Sequence, residues 1–270
     1  MRAILLCLPL FVACVAPAAK HDSLGTLAVA EGLPFRVAVL PVAVAEGETF
    51  EPSRLSGGAE ALAAGFASGL FVQAEPAASL TSALNSEVEL IVVCEAFGST
   101  VDSSGQDSGS LNLRFYDSSF TEAWSGEYPA GQAGLTLSIV APLDEDDWEA
   151  TTGALIEQIR SSSGGLLDSG LAPFRLETSE LNFQRSGARF LMTGTVRFAD
   201  ESRSRHLRSI RCTLPSGEVV ECEFLAPAPN SPNESFTAEL PELSSGDLLV
   251  LEVEVGSRVR YRRRYAVRLL

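Results

Sequence analysis

From about residue 174 to the C-terminus, apolar side chains recur at every second position, a period that suits extended chain and no helix. Phe190, Met192, Val196 and Phe198 share one parity, while Arg189, Thr193, Thr195 and Arg197 share the other. Ile210, Cys212 and Leu214 repeat the pattern, as do Val220, Cys222 and Phe224, then Phe236, Ala238 and Leu240. Leu249, Leu251, Val253 and Val255 follow, and Val259, Tyr261, Tyr265 and Val267 complete it. With an opening strand near Leu176 to Phe183, this predicts seven short strands within about 100 residues. Strands with one apolar face must close over one another, so residues 171–270 read as an all-β sandwich.

The strand count and spacing are those of an immunoglobulin-like sandwich. Leu243-Ser244-Ser245-Gly246-Asp247 resembles the corner of bacterial immunoglobulin-like modules, although the Cys-Trp-Cys pattern of antibody domains is absent. In the last hairpin, Val255 is expected opposite Val259, with Glu254 meeting Arg260 and Glu252 meeting Arg262 on the outer face. Arg258, Arg260, Arg262 and Arg264 then form a solvated strand face. Anionic-ligand binding, together with Arg203, Arg205 and Arg208, is the competing use of that face. Arg263 has inward parity, which predicts a bulge or an edge position. Inward parity also sets Cys212 opposite Cys222 across a three-residue loop, Ser216-Gly217-Glu218, and predicts a Cys212–Cys222 disulfide. Two reduced, buried thiols are the alternative. Cys94, in a buried strand, is expected to stay unpaired.

Residues 34–168 read differently. Phe35 to Val42 is a β-branched run between Pro34 and an acidic loop carrying Glu46, Glu48 and Glu51. Arg54 to Leu70 has apolar residues at helical spacing with Ser53 as N-cap, and its glycines predict close packing against a sheet. A short strand at 71–73 and a short helix from Pro76 to Ser86 precede a confident strand at Glu89–Phe97. Leu111, Leu113 and Phe115 alternate with polar residues after a turn through Asp102 and Asp107, and Glu122 to Tyr128 reads as a further strand. Asp144 to Asp147 opens a helix from Trp148 to Arg160, where carboxylates favour the macrodipole; a metal site is the alternative. The pattern predicts an α/β domain, a mixed sheet with packed helices, followed by the sandwich. Arg36-Val37-Ala38-Val39-Leu40-Pro41, Glu89-Leu90-Ile91-Val92-Val93, Asn112 to Asp117 and Ala123-Trp124-Ser125-Gly126 resemble a cell-envelope family. That family includes the TolB amino-terminal domain, curli-secretion lipoproteins and penicillin-binding-protein activator lipoproteins. The resemblance spans about residues 35–160 and places Trp124-Ser125 at the start of a hairpin's second arm; Cys94 stands where the family often has Gly. It implies a domain that binds proteins or assembles, with no reaction.

The N-terminus supplies the context. Arg2 precedes a short apolar run, too short to span a bilayer, that ends at Phe11-Val12-Ala13-Cys14. This resembles a bacterial lipobox, with Phe11 in place of the usual Leu, and implies cleavage before Cys14 and lipid on its sulfur. The alternative is an ordinary secretory signal cut at Ala16-Pro17-Ala18, with Cys14 discarded. Both readings export the chain. The organisation expected is a signal peptide at 1–13, a lipidated tether at 14–33, and the two domains. Val15 is not the Asp that retains many such proteins at the inner membrane, which favours the outer membrane.

Charge is lopsided. Residues 14–170 carry 5 Lys or Arg against 22 Asp or Glu, a net of −17; residues 171–270 carry 14 against 13. An acidic first half argues against nucleic acid and against direct adhesion to anionic lipid. No Gly-x-Ser-x-Gly, Walker loop or His-Glu-x-x-His occurs, and the chain holds only His21 and His206. His21 to Gly25 faintly resembles an esterase block, but no strand precedes it. The expectation is therefore no enzyme and no cofactor. A lipid-anchored protein is expected to engage an envelope protein partner through Glu46, Glu48, Glu51, Asp102 and Asp107, on loops at one sheet end. The competing function is a surface protein whose sandwich recognises a glycan or another anionic envelope component.

Overall fold

The computed structural model describes residues 25–101, 107–144, 147–167, 174–199, 207–225, 232–256 and 260–270. It is mostly β, with several sheets and few helices. Chain order begins with β1 (Thr26–Leu27), β2 (Leu33–Val39), β3 (Ala43–Val44), α1 (Pro52–Leu55), α2 (Gly58–Gly69), β4 (Phe71–Pro76), α3 (Leu80–Asn85), β5 (Leu90–Val101) and β6 (Asp107–Asp117). A 3-10 helix at Ser118–Ala123 leads to the two-residue arms β7 (Trp124–Ser125) and β8 (Tyr128–Pro129). Then come β9 (Leu135–Leu143), α4 (Trp148–Ser161) and α5 (Ser163–Leu167).

The first half is built on a sheet ordered β4-β2-β5-β6-β9, with β3 also beside β5. β2 runs parallel to β4 and β5, whereas β5, β6 and β9 are antiparallel. Both faces of β2 are buried, which is why its sequence is a nearly continuous apolar run. Val37 and Val39 join Leu62 and Phe66 of α2, Leu113 and Phe115, and Leu155 and Ile159 of α4. Ala38 and Leu40 join Leu80 and Ala83 of α3, with Ile91, Val93 and Tyr116. The long helix expected from Arg54 is split, because Gly57 takes φ 84° and α2 starts after it; Ser53 lies inside α1 and donates to Glu51. The glycines of α2 serve contact with α4 rather than with the sheet: a Cβ on Gly58 would lie 2.5 Å from the Trp148 ring. Asp147 caps α4, its carboxylate accepting from Ala150 N–H at 2.9 Å. The sheet's third antiparallel strand is β9, not the Trp124 segment. Trp124 and Ser125 pair only with Pro129 and Tyr128, as a separate hairpin.

The second half comprises β10 (Phe174–Leu176), β11 (Asn182–Ser186), β12 (Arg189–Phe198), β13 (Leu207–Thr213), β14 (Val219–Glu221), β15 (Glu223–Phe224), β16 (Asn233–Leu240), β17 (Leu248–Gly256) and β18 (Arg260–Arg268). One sheet is ordered β1-β11-β12-β16-β15, with β10 also on β12; the other is β14-β13-β17-β18. Their apolar faces share one core, with Phe183, Met192 and Phe236 from the first sheet and Ile210, Leu251 and Val253 from the second. The parity expected from sequence holds over β12, β13, β16, β17 and β18, but Phe224, expected inward, is exposed because the run breaks at Cys222 and β15 joins the other sheet, and two registers differ by two residues. Cys212 pairs with Val220, and the Cys222 N–H bonds the Ile210 carbonyl at 2.9 Å. In the last hairpin Glu254 faces Arg262 and Glu252 faces Arg264. A shift of two preserves which face each side chain occupies, so alternation alone does not distinguish these registers.

The halves are one packed body. Residues 25–30, expected within a free tether, are instead woven into the second half. Thr26 and Leu27 pair with Gln184 and Phe183, Val29 bridges Leu269, and the Leu270 N–H bonds the Ala28 carbonyl at 2.8 Å. From there the chain enters β2, whose Phe35 ring lies 6.0 Å from that of Tyr265. Arg263 is buried at 1% exposure on the edge strand β18, in an unbroken ladder without a bulge. Its guanidinium donates to the carbonyls of Leu166 and Leu167 at the end of α5 and lies over the Phe35 and Tyr265 rings. Hydrogen bonding at a helix C-terminus and over aromatic faces explains how an inward arginine is tolerated. Among the described residues no helix is long and apolar enough to cross a membrane.

Candidate functional site

The mixed sheet of the first half has two unlike ends. At the end against the second half, Glu89 is buried and accepts from Arg36 through its backbone N–H at 2.7 Å and its guanidinium at 2.8 Å. Burial lowers the Arg36 pKa, but hydrogen bonding and charge from Glu89 outweigh it and leave a net upward shift. Arg264 reaches the Val88 carbonyl at 3.3 Å, and the Ser119 hydroxyl reaches the Arg262 carbonyl at 3.5 Å. This end packs against the second half and leaves two hollows beside it, one of 550 Å³ lined by Arg36, Arg211 and Arg264 among others and one of 770 Å³ lined by Ser118, Glu252, Arg260 and Arg262 among others.

The opposite end is free. The chain leaves β2 through α1 and α2 to β4, then returns through α3 to β5 on the other side of β2. Such a reversal of strand order opens a crevice at the C-terminal ends of parallel strands. Here Pro41 and Val42 separate two hollows. One, of 330 Å³, is lined by Leu40, Ala78, Ser79, Leu80 and Tyr128 among others. The second, of 550 Å³, is lined by Val44, Leu55, Gly57, Ala59, Glu60 and Pro76 among others. Val44 and Tyr128 are large apolar or aromatic side chains left exposed here, at 39% and 47%. Sequence reasoning did not single out either residue; the tyrosine two positions after Gly126 was the available signal.

The acidic loop borders this crevice. Glu46 is exposed in a turn, Glu48 is half-buried with its N–H on the Ala45 carbonyl, and Glu51 is exposed and accepts from Ser53. The loop is joined to the β5–β6 hairpin: a Cβ on Gly109 would lie 2.8 Å from the Phe50 ring, so only glycine allows that approach. Asp107 opens β6 opposite Val101, and Asp102 lies outside the described residues. The structure thus brings the Glu46–Glu51 loop and the base of the hairpin to one sheet end. Three arginines of this half have named partners: Arg36 with Glu89, Arg114 with Glu95 at 3.2 Å, and Arg160 with Glu157 and the Gly69 carbonyl. This end therefore sets an acidic loop beside an apolar crevice.

Other sequence-predicted residues resolve plainly. Cys14 lies outside the described residues. Direct Cys212–Cys222 pairing is corrected by the register, which sets them diagonally; both thiols, and that of Cys94, are free and buried. Burial pushes each of the three thiols up to about 12, which disfavours the thiolate at neutral pH. Among the described residues no group of His, Cys, Asp or Glu is arranged to hold a metal ion. Among the outward arginines of the second half, Arg211 pairs with Glu252 at 2.5 Å, Arg260 with Glu254 at 3.3 Å and Arg262 with Glu254 at 3.2 Å, while Arg208 and Arg264 donate to the Gly256 and Val88 carbonyls; Arg203, Arg205 and Arg258 lie outside the described residues. The expected contacts of Glu254 with Arg260 and Glu252 with Arg262 survive as diagonal ones, the latter at 3.6 Å.

No protein-family profile matches the sequence, and no curated protein matches it either. Among solved structures, the chain is similar to the NEAT5 domain of IsdX2, a B. anthracis hemophore in complex with heme, with a TM-score of 0.26 and 8% identity over 33% of this chain and 72% of that one. It is also similar to a PelC dodecamer from Paraburkholderia phytofirmans, with a TM-score of 0.33 and 14% identity over 51% of this chain and 97% of that one. Likeness at these scores carries no argument about this chain.

Proposed function

We propose that this chain is a non-catalytic cell-envelope protein, held by lipid on Cys14, that binds or helps assemble an envelope protein partner. In this reading an α/β domain of the envelope-lipoprotein type supplies recognition and an immunoglobulin-like sandwich carries it, at the outer membrane. The observation that supports it is the free sheet end. Glu46, Glu48 and Glu51 stand on the loop beside an apolar crevice. Long-range steering from a net charge of −17 over residues 14–170 favours basic partners. The competing reading, a glycan or anionic component on the Arg face of the sandwich, loses support at Arg260 and Arg262, which are paired with Glu254 and Glu252.

Affinity capture by the full-length protein from its own solubilised envelope tests this. A partner is expected to co-purify, less as salt rises, and to be lost when Glu46, Glu48 and Glu51 are each changed to Lys. Retention of the partner by that triple variant would overturn the reading.

A further inference from the structure

The larger hollow sits where the mixed sheet loses a strand. β2 and β3 lie on one line beside β5: Val39 faces Val92, and Ala43 faces Glu95. On the other side of that line β4 stops at Pro76, opposite Val39, so no strand flanks β3 there among the described residues. The vacant place is the 550 Å³ hollow, with Pro76 and Ala77 at its foot and Val42, Leu55 and Ala59 among its lining. The backbone of β3 is aimed into it. The Ala45 N–H bonds the Ala96 carbonyl at 2.9 Å, so Ala43 and Ala45 face β5 and the N–H and C=O of Val44 turn the other way. Among the described residues neither of those two groups meets a backbone partner.

We infer that this hollow receives an extended peptide segment of a partner protein, added as a strand beside β3. The segment is apolar over Leu55 and Ala59 and basic toward Glu60 and the Glu46–Glu51 loop. This deepens the reading above and rests on it. Strand addition gains main-chain hydrogen bonds from an open edge and side-chain selection from the surrounding walls. Glu60 is the one charged residue lining the hollow among those described, and the turn after β3 adds the exposed Glu46. Complementarity therefore demands Lys or Arg in the occupant. A second copy of this chain would set the same acidic rim against itself.

The test uses the full-length protein and a fluorescent synthetic peptide of about ten residues alternating Val and Lys, long enough to lie as one strand. Controls are the same length alternating Val and Glu, and a Val/Lys peptide with alternate amides N-methylated. Saturable binding is expected for the first peptide alone. Val44→Pro removes the outward N–H while leaving the bonds of Ala43 and Ala45 to β5, and is expected to weaken binding about tenfold. Val44→Ala keeps the N–H and is expected to bind within about twofold of the parent. Thermal melts matching the parent show that both variants fold. Equal binding by Val44→Pro, or equal binding of the N-methylated peptide, would overturn the inference. Capture from the envelope separates the two readings: a partner held equally by parent and Val44→Pro rejects the strand but keeps the function. Absence of any captured partner rejects the function, while the peptide arm still decides the hollow.

Discussion

The guanidinium carbon of Arg263, on the last strand β18, lies 5.2 Å from the centre of the Phe35 ring near the start of β2. The contact joins residues 228 positions apart in sequence (from 35 to 263) and closes the edge of the second half with the first. Described residues of both halves share one hydrophobic core.

Arg263→Ala leaves the Leu166 and Leu167 carbonyls without their donor and removes a cation from two aromatic rings. The expected loss is about 2–4 kcal/mol of unfolding free energy. Arg263→Lys, a point charge in place of a fork, is expected to recover less than half of it. Urea denaturation followed by tryptophan fluorescence and by far-UV dichroism checks this, and coincident transitions are expected for the parent.

Removing residues before Leu33 takes away β1 without touching the mixed sheet. The amides of Arg185 and Leu270, which bond the carbonyls of Gly25 and Ala28, are expected to lose their slow hydrogen exchange. Amides of β12 and β17, central in their sheets, are expected to keep theirs.

The three buried thiols set an alkaline limit. Their folded pKa values are pushed up to about 12, above the value near 8.5 of an unfolded cysteine. The unfolded chain therefore releases these protons first. Their contribution to stability is full below about pH 8.5 and is lost as pH rises toward about 12. Unfolding free energy measured across that window is expected to fall less steeply in Cys94→Ala. Labelling of the denatured, unreduced chain is expected to find Cys94, Cys212 and Cys222 all reactive, as free thiols.

Sequence alternation made the faces legible and left the registers open. Cys212 and Cys222 point into the core as expected, yet they are diagonal because the hairpin closes from Leu214 to Glu218 rather than one step later. Arg263 was legible as an exception, and its edge position follows, but its partners come from α5 and β2, elements far away in sequence. The Trp124 segment has strand-like residues because Trp124 packs on Tyr116, 5.5 Å away, on the sheet's second face. The true third strand alternates Leu135, Leu137, Ile139, Ala141 and Leu143, with Pro142 weakening its signal. At the site, the acidic loop was readable from composition. The crevice was not, because it depends on where β4 stops relative to β3, a matter of register between strands.

Hydrogen exchange on the full-length protein, free and with its captured partner, addresses the central claim most directly. Recognition at the free sheet end predicts new protection at residues 43–51 and at the base of the β5–β6 hairpin near Gly109, with none added along β18. Protection confined to β13, β14 and β18 of the second half would place recognition on the sandwich and contradict the account.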